Sequence, residues 1–297
     1  MRTTAVLGVF VVVMIGRATE PPSFAQQQSM PSSAARNVLR SSADREALET
    51  AAIALIRTGD PRDLTFLGQL LRDAGFLARL DDFDSLKTLH LSRVMVVLAQ
   101  HPSLEAAELC LALADDPVYL ADDDRQSFLL KVLAAVKPMS DRAAALFERT
   151  NEEGYFAFNA PLLVANASPP ALSLFESMML DGNVPIARRV DCLHLALVPH
   201  RTQLPVLRTA DRIVSSTKEA VLAKGVVESI FDFQLRWFGI ESKIVAPRWQ
   251  SASVDTLRLA LHMADTALAR SDLTAELQQT VGRSRQTIMQ TLTSRQK

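Results

Sequence analysis

The chain has 297 residues, 48% of them hydrophobic and 22% charged, with 32 basic side chains against 33 acidic ones and a formal net charge of -1. This composition excludes a disordered chain, supports a sizeable core and lacks the basic footprint that nucleic-acid binding needs. With only 10 glycines and 6% aromatic residues, and no strand-like alternation beyond the opening segment, an all-α fold is predicted.

At the N-terminus, Arg2 precedes the apolar run Ala5-Val6-Leu7-Gly8-Val9-Phe10-Val11-Val12-Val13-Met14-Ile15-Gly16, followed by Pro21, Pro22 and Ser23-Phe24-Ala25. This is the pattern of a secretory signal peptide over residues 1–25, with cleavage expected after Ala25 and Ala18 as the second choice. As a helix the run rises about 18 Å, short of the roughly 30 Å hydrocarbon layer, so no stable membrane insertion is expected after cleavage. The mature protein is expected to be secreted or periplasmic. Residues 26–43, opening QQQSMPSSAARN, are small and polar and read as a flexible leader.

From Asp44 onward one arrangement recurs: an apolar-striped helix, a break carrying proline, and a second apolar-striped helix. The instances are ALETAAIALIRTGDP then RDLTFLGQLLRDAG, LSRVMVVLAQHP then SLEAAELCLALADD, SFLLKVLAAVKP then MSDRAAALFERTNE, and NAPLLVANASPP then ALSLFESMMLDGN. Proline in the first turn of a helix loses no hydrogen bond, while it stops the preceding residue from continuing the earlier helix. Pro61, Pro102, Pro138 and Pro169 are therefore expected at the corners of helical hairpins. Leu64, Leu67 and Leu70 follow Pro61 at the offsets at which Leu172, Phe175 and Met178 follow Pro169, which predicts matching apolar faces. The prolines are spaced by 41, 36 and 31 residues, and a fifth, degraded unit carries Pro199 and Pro205. Such a period predicts an α-solenoid of about five antiparallel hairpins over residues 44–215.

Within the first unit, Thr58-Gly59-Asp60-Pro61-Arg62-Asp63-Leu64, with Leu67 and Leu70-Leu71-Arg72-Asp73 after it, resembles a HEAT-type repeat. Leu113-Ala114-Asp115-Asp116-Pro117-Val118 echoes the same wording. The resemblance covers about residues 44–214 and implies a stacked, curved array whose second helices line the inner surface. It implies no particular activity.

Residues 216–297 read as a C-terminal helical cap packed on the repeats. Ser216-Thr217-Lys218-Glu219 has the form of a capping box opening a long helix, with Gly239 fitting its left-handed end. Two further helices follow, SVDTLRLALHMADTALAR and DLTAELQQTVGRSRQTIMQTLTS, the last carrying only a thin apolar stripe, as suits the outer face of a terminal unit.

No nucleophile elbow, phosphate loop or dinucleotide fingerprint occurs, so no catalytic residue is nominated. Asp191 with His194, and His262 with Asp265, could each offer two metal ligands on one helix face, but a metal site needs more donors from facing helices. No metal or other cofactor is expected. His101, ahead of Pro102, reads as a solvated corner residue. The acidic runs at Asp81-Asp82-Phe83-Asp84 and Asp122-Asp123-Asp124 lack the spacing of a calcium loop and read as helix caps. Cys110 and Cys192 read as buried small hydrophobes, with a disulfide as the alternative. Asn166-Ala167-Ser168 has the form of a glycosylation acceptor, weakened by Pro169.

Both tryptophans fall in one aromatic cluster, Phe231, Phe233, Trp237, Phe238 and Trp249, each tryptophan beside an arginine, Arg236 and Arg248. Trp237, Arg236 and Trp249 are the nominated ligand-binding residues, since such rings anchor partners or stack on sugars; a place in the core is the other reading. The expected function is protein binding or scaffolding without catalysis, with another protein as partner. The alternative is a cell-envelope enzyme or carbohydrate-binding protein using the aromatic-rich C-terminal region.

Overall fold

The computed structural model describes residues 30–81, 90–231 and 249–295. Among them there are sixteen α-helices and no strand, so the all-α prediction holds. In chain order the helices are α1 (Ser32–Ser41), α2 (Arg45–Thr58), α3 (Pro61–Leu71), α4 (Ala74–Leu80), α5 (His90–Gln100), α6 (Leu104–Leu113), α7 (Pro117–Leu120) and α8 (Asp123–Ala135). They continue as α9 (Asp141–Thr150), α10 (Phe156–Asn166), α11 (Pro169–Leu180), α12 (Ile186–Leu197), α13 (Leu204–Ser216), α14 (Ala220–Phe231), α15 (Val254–Leu268) and α16 (Ala275–Arg295).

Local chemistry explains the boundaries. The carboxylates of Asp44, Asp60, Asp73, Asp116 and Asp122 accept from free backbone N–H groups at the starts of α2, α3, α4, α7 and α8, and the hydroxyls of Ser103, Ser140 and Ser253 do so for α6, α9 and α15. Each such cap is worth about 1 kcal/mol. Gly59 ends α2 at φ 66°, where a side chain would be strained. Pro61 and Pro169 open α3 and α11 as expected. Pro102 and Pro138 lie in the turns, ahead of the capping serines, which is why their units match the other two poorly. Pro117 opens only the four-residue α7; the next long helix, α8, starts at Asp123.

Helix contacts fall into two series. In one, α2 packs on α5, α5 on α8, α8 on α10, α10 on α12, α12 on α14 and α14 on α16. In the other, α3 packs on α6, α6 on α9, α9 on α11, α11 on α13 and α13 on α15. The core lies between the two rows. Leu64 and Leu67 of α3 and Leu172, Phe175 and Met178 of α11 are buried and Leu70 packs half-buried against the same core, so the offsets three, six and nine hold, with Leu71 and Met179 adding a tenth. Close approach within a row shows at Gly225, where an added Cβ would lie 3.2 Å from Leu193 and Val190.

Two expectations need correction. Residues 32–41, read as part of a flexible leader, form α1, whose Ala35 and Leu39 are buried. Its short length and polar composition hid an apolar pair at helical spacing. The proposed capping box does not form either: Ser216 belongs to α13, Thr217 accepts from the Glu219 N–H at 3.1 Å, and the Glu219 carboxylate turns to Arg189. The end of that stretch, including Gly239, lies outside the described residues.

Candidate functional site

Trp249 is 1% exposed and packs on Phe231, ring centroids 6.1 Å apart. It therefore takes the core position, and the physical reason is that its three-residue 3-10 turn precedes α15 and abuts α16, whose Arg295 holds the carbonyls of Gln250 and Ala252. Trp237 and Arg236 lie outside the described residues, as do Phe233, Phe238 and Arg248.

One member of each histidine and carboxylate pair, His194 and Asp265, is engaged structurally. Ser229 on α14 donates its proton to the Gly225 carbonyl at 2.7 Å and so accepts from Nδ1 of His194 on α12 at 3.0 Å. A hydroxyl committed in this way is not an activated nucleophile. Burial pushes His194 below the usual imidazole value against the opposing pull of Glu228 and Asp191, which keeps the ring neutral near pH 7. Asp265 pairs with Arg285 at 2.5 Å rather than turning to His262. Among the described residues no group of three or more potential ligands could hold a metal ion.

Both thiols are free and buried, Cys110 on α6 and Cys192 on α12, in helices of different rows. Burial pushes both above the ordinary thiol value, Cys192 to about 12. Asp122 caps α8 through the Arg125 N–H, Asp123 accepts from the Tyr155 hydroxyl, and Asp81 accepts from the Leu91 N–H. Asn166 is 1% exposed and its amide nitrogen donates to the carbonyls of Ala134 and Val136, both at 2.8 Å. That commitment ties α10 to the end of α8 and holds the left-handed Ala167 (φ 58°) that ends α10, leaving the acceptor nitrogen of the glycosylation motif without a free face.

Sequence reasoning did not identify several polar centres. Glu49 of α2, 7% exposed, meets Nδ1 of His90 of α5 at 2.5 Å and Arg93 at 3.3 Å; partners 41 positions apart leave no local signal. Arg189 of α12 is buried and uses four of its five N–H donors, with two bonds to Glu219 at 2.5 and 2.7 Å and one each to the carbonyls of Met179 and Val184 at 3.0 Å. A void between α6, α8 and α9, bordered by Gln126 and Thr150, has room for about one water molecule.

What remains for recognition is extended surface. Along the second row, exposed or half-buried carboxylates meet arginines of the next helix: Glu108 with Arg142 at 2.6 Å, Asp115 with Arg149 at 3.0 Å and Glu176 with Arg212 at 2.7 Å. On α8 the Lys131 ammonium lies 5.3 Å from the Phe128 ring and 5.7 Å from Phe158 of α10, and Tyr155 meets Phe158 edge-on at 6.2 Å. Exposed apolar side chains occur on both series, Val96 of α5 and Val221 of α14 on the first and Leu104 of α6 and Val254 of α15 on the second.

No family model matches the chain, and no curated protein and no solved structure matches it.

Proposed function

We propose that the chain is an exported α-solenoid of HEAT-like character that serves as a protein-binding scaffold. The observation that carries this reading is the order of the contacts: first helices pack on first helices and second helices on second, each in chain order. On this reading the units are five hairpins, α2/α3, α5/α6, α8/α9, α10/α11 and α12/α13, of which α2/α3 and α10/α11 pack helix on helix. Cross-hairpin polar contacts support the same unit, spanning 34 residues for Arg142–Glu108, 34 for Arg188–Gly154 and 35 for Ser229–His194. Stacked hairpins bury a continuous core and leave long faces for a partner.

Scaffolding rather than catalysis follows from the use of the polar groups, since His194, Ser229, Arg189 and Asp63 each spend their hydrogen bonds within the fold. Export rests on the signal-like residues 1–25. Expression in the native host tests both halves. Release by osmotic shock with Gln26 as the new N-terminus supports export, whereas retention in the cytosol with residue 1 intact refutes it. Cross-linked capture of the mature protein should recover one protein in stoichiometric amount. Recovery of glycan with no such protein overturns the scaffold reading in favour of carbohydrate binding.

A further inference from the structure

Methionine is unevenly placed in this fold. Met95, Met139, Met178, Met179 and Met263 are each 6% exposed or less, and Met30 packs half-buried against the core. Met289 of α16 is 43% exposed. It stands away from the inward stripe of that helix, which Leu277, Val281 and Ile288 form.

Its sulfur has a fixed neighbour. Arg285, one turn earlier, donates from Nη1 to the Met289 Sδ at 3.2 Å, a contact that four-residue spacing on a helix allows. The same guanidinium donates from Nε to the Asp265 carboxylate of α15 at 2.5 Å, and α15 packs on α16. The donor is therefore anchored on a second helix, and its planar fork stays over one side of the sulfur.

A thioether sulfur carries two lone pairs. Oxygen added to one gives one sulfoxide epimer, oxygen added to the other gives its opposite, and each epimer is reduced by its own enzyme. Where an anchored N–H group occupies one lone pair, an oxidant from solvent reaches the other.

We propose that Met289 is an oxidation site of this protein, at which peroxide forms one sulfoxide epimer selected by Arg285. In the step the O–O bond of hydrogen peroxide breaks and its nearer oxygen bonds to Sδ. The proton on that oxygen passes to the departing hydroxide, which leaves as water. Sulfur gives up two electrons and the peroxide takes them. The product is a substrate for one of the two epimer-specific sulfoxide reductases and not for the other. The five buried methionines are shielded for as long as the helices stay packed.

The test treats the mature chain with dilute hydrogen peroxide, follows oxygen addition by mass spectrometry of tryptic peptides, and then exposes the product to each reductase separately. Circular dichroism checks that the helices persist. Met289 should gain oxygen about tenfold faster than any of the five buried methionines, in an epimer ratio of about ten to one. In Arg285→Ala that selectivity should be lost while oxidation continues. Asp265→Asn, which releases the guanidinium without removing it, should lower the ratio part of the way, and it decides the matter if Arg285→Ala loses its helical spectrum. Equal epimers in the parent, a ratio unchanged in the variants, or a buried methionine oxidised as fast as Met289 would each overturn the proposal.

Discussion

Glu108 and Arg142, 34 positions apart in the chain, meet at 2.6 Å across the seam between α6 and α9. The same offset joins Asp115 to Arg149, so two successive ion pairs lie on one seam. Both partners of the first pair are more than 60% exposed, at 64% and 62%. Exposed pairs contribute about 0.5 kcal/mol or less after solvent screening. A double-mutant cycle of Glu108→Gln and Arg142→Gln should therefore give a coupling below about 0.5 kcal/mol that vanishes in high salt. A coupling of several times that size would show that the pairs hold the stack together.

Arg189 predicts the opposite behaviour. It is 1% exposed and its four hydrogen bonds bind α12 to the carbonyls of Met179 and Val184 and to Glu219. Arg189→Met leaves both carbonyls without their donor and should cost about 3 kcal/mol. For a chain of this size that lowers Tm by about 6–12 °C in a thermal melt. A shift within 1 or 2 degrees, about the size of a surface change, would mean that water replaces the guanidinium without loss.

Asp63 carries a pH signature. Although burial raises its carboxyl, the hydrogen bonds from Ser32, Arg36 and Thr58 and the charge of Arg36 outweigh it and hold the value below the unfolded 3.8. The stability it contributes is fully present above the unfolded value and is lost as the pH falls through the lower folded one. Asp63→Asn should melt earlier than the parent at neutral pH, and the gap should narrow as the pH falls below the unfolded value of 3.8. A gap that stays constant as the pH falls would separate Asp63 from the acid response.

The two thiols should be silent in the folded protein. Cys110 and Cys192 are buried, 0% and 1% exposed, and burial raises both above the ordinary thiol value. A thiol-specific disulfide reagent should titrate neither cysteine before unfolding and both after it. Reductant should leave Tm unchanged. Rapid reaction of either thiol in native buffer, or a fall in Tm on reduction, would contradict the burial.

Much of the fold was legible along the chain. The apolar periodicity, the Asp60-Pro61 start and the Gly59 stop are local features, set by propensity and by hydrogen bonds within a few residues. The exceptions have identifiable causes. α1 escaped because Ala35 and Leu39 are too few to mark a helix among serines and arginines, and the expected cap at Ser216 failed because Arg189 offers the Glu219 carboxylate a better partner. Trp249, nominated from composition, took a core place beside Phe231 because an aromatic stripe reads the same whether its ring faces protein or solvent. Nothing in sequence marked Glu49 with His90, or Arg36 with Asp63, because these partners meet only when separate helices stack.

By itself the sequence determined the helical class and many of the breaks between helices, since these depend on propensity, capping and periodicity within a few residues. Tertiary structure alone decided which helices became neighbours, which polar groups were consumed in the seams and that α1 closes the edge of α2. Those outcomes depend on pairings across about 30 residues or more, where burial and charge act through space rather than along the chain.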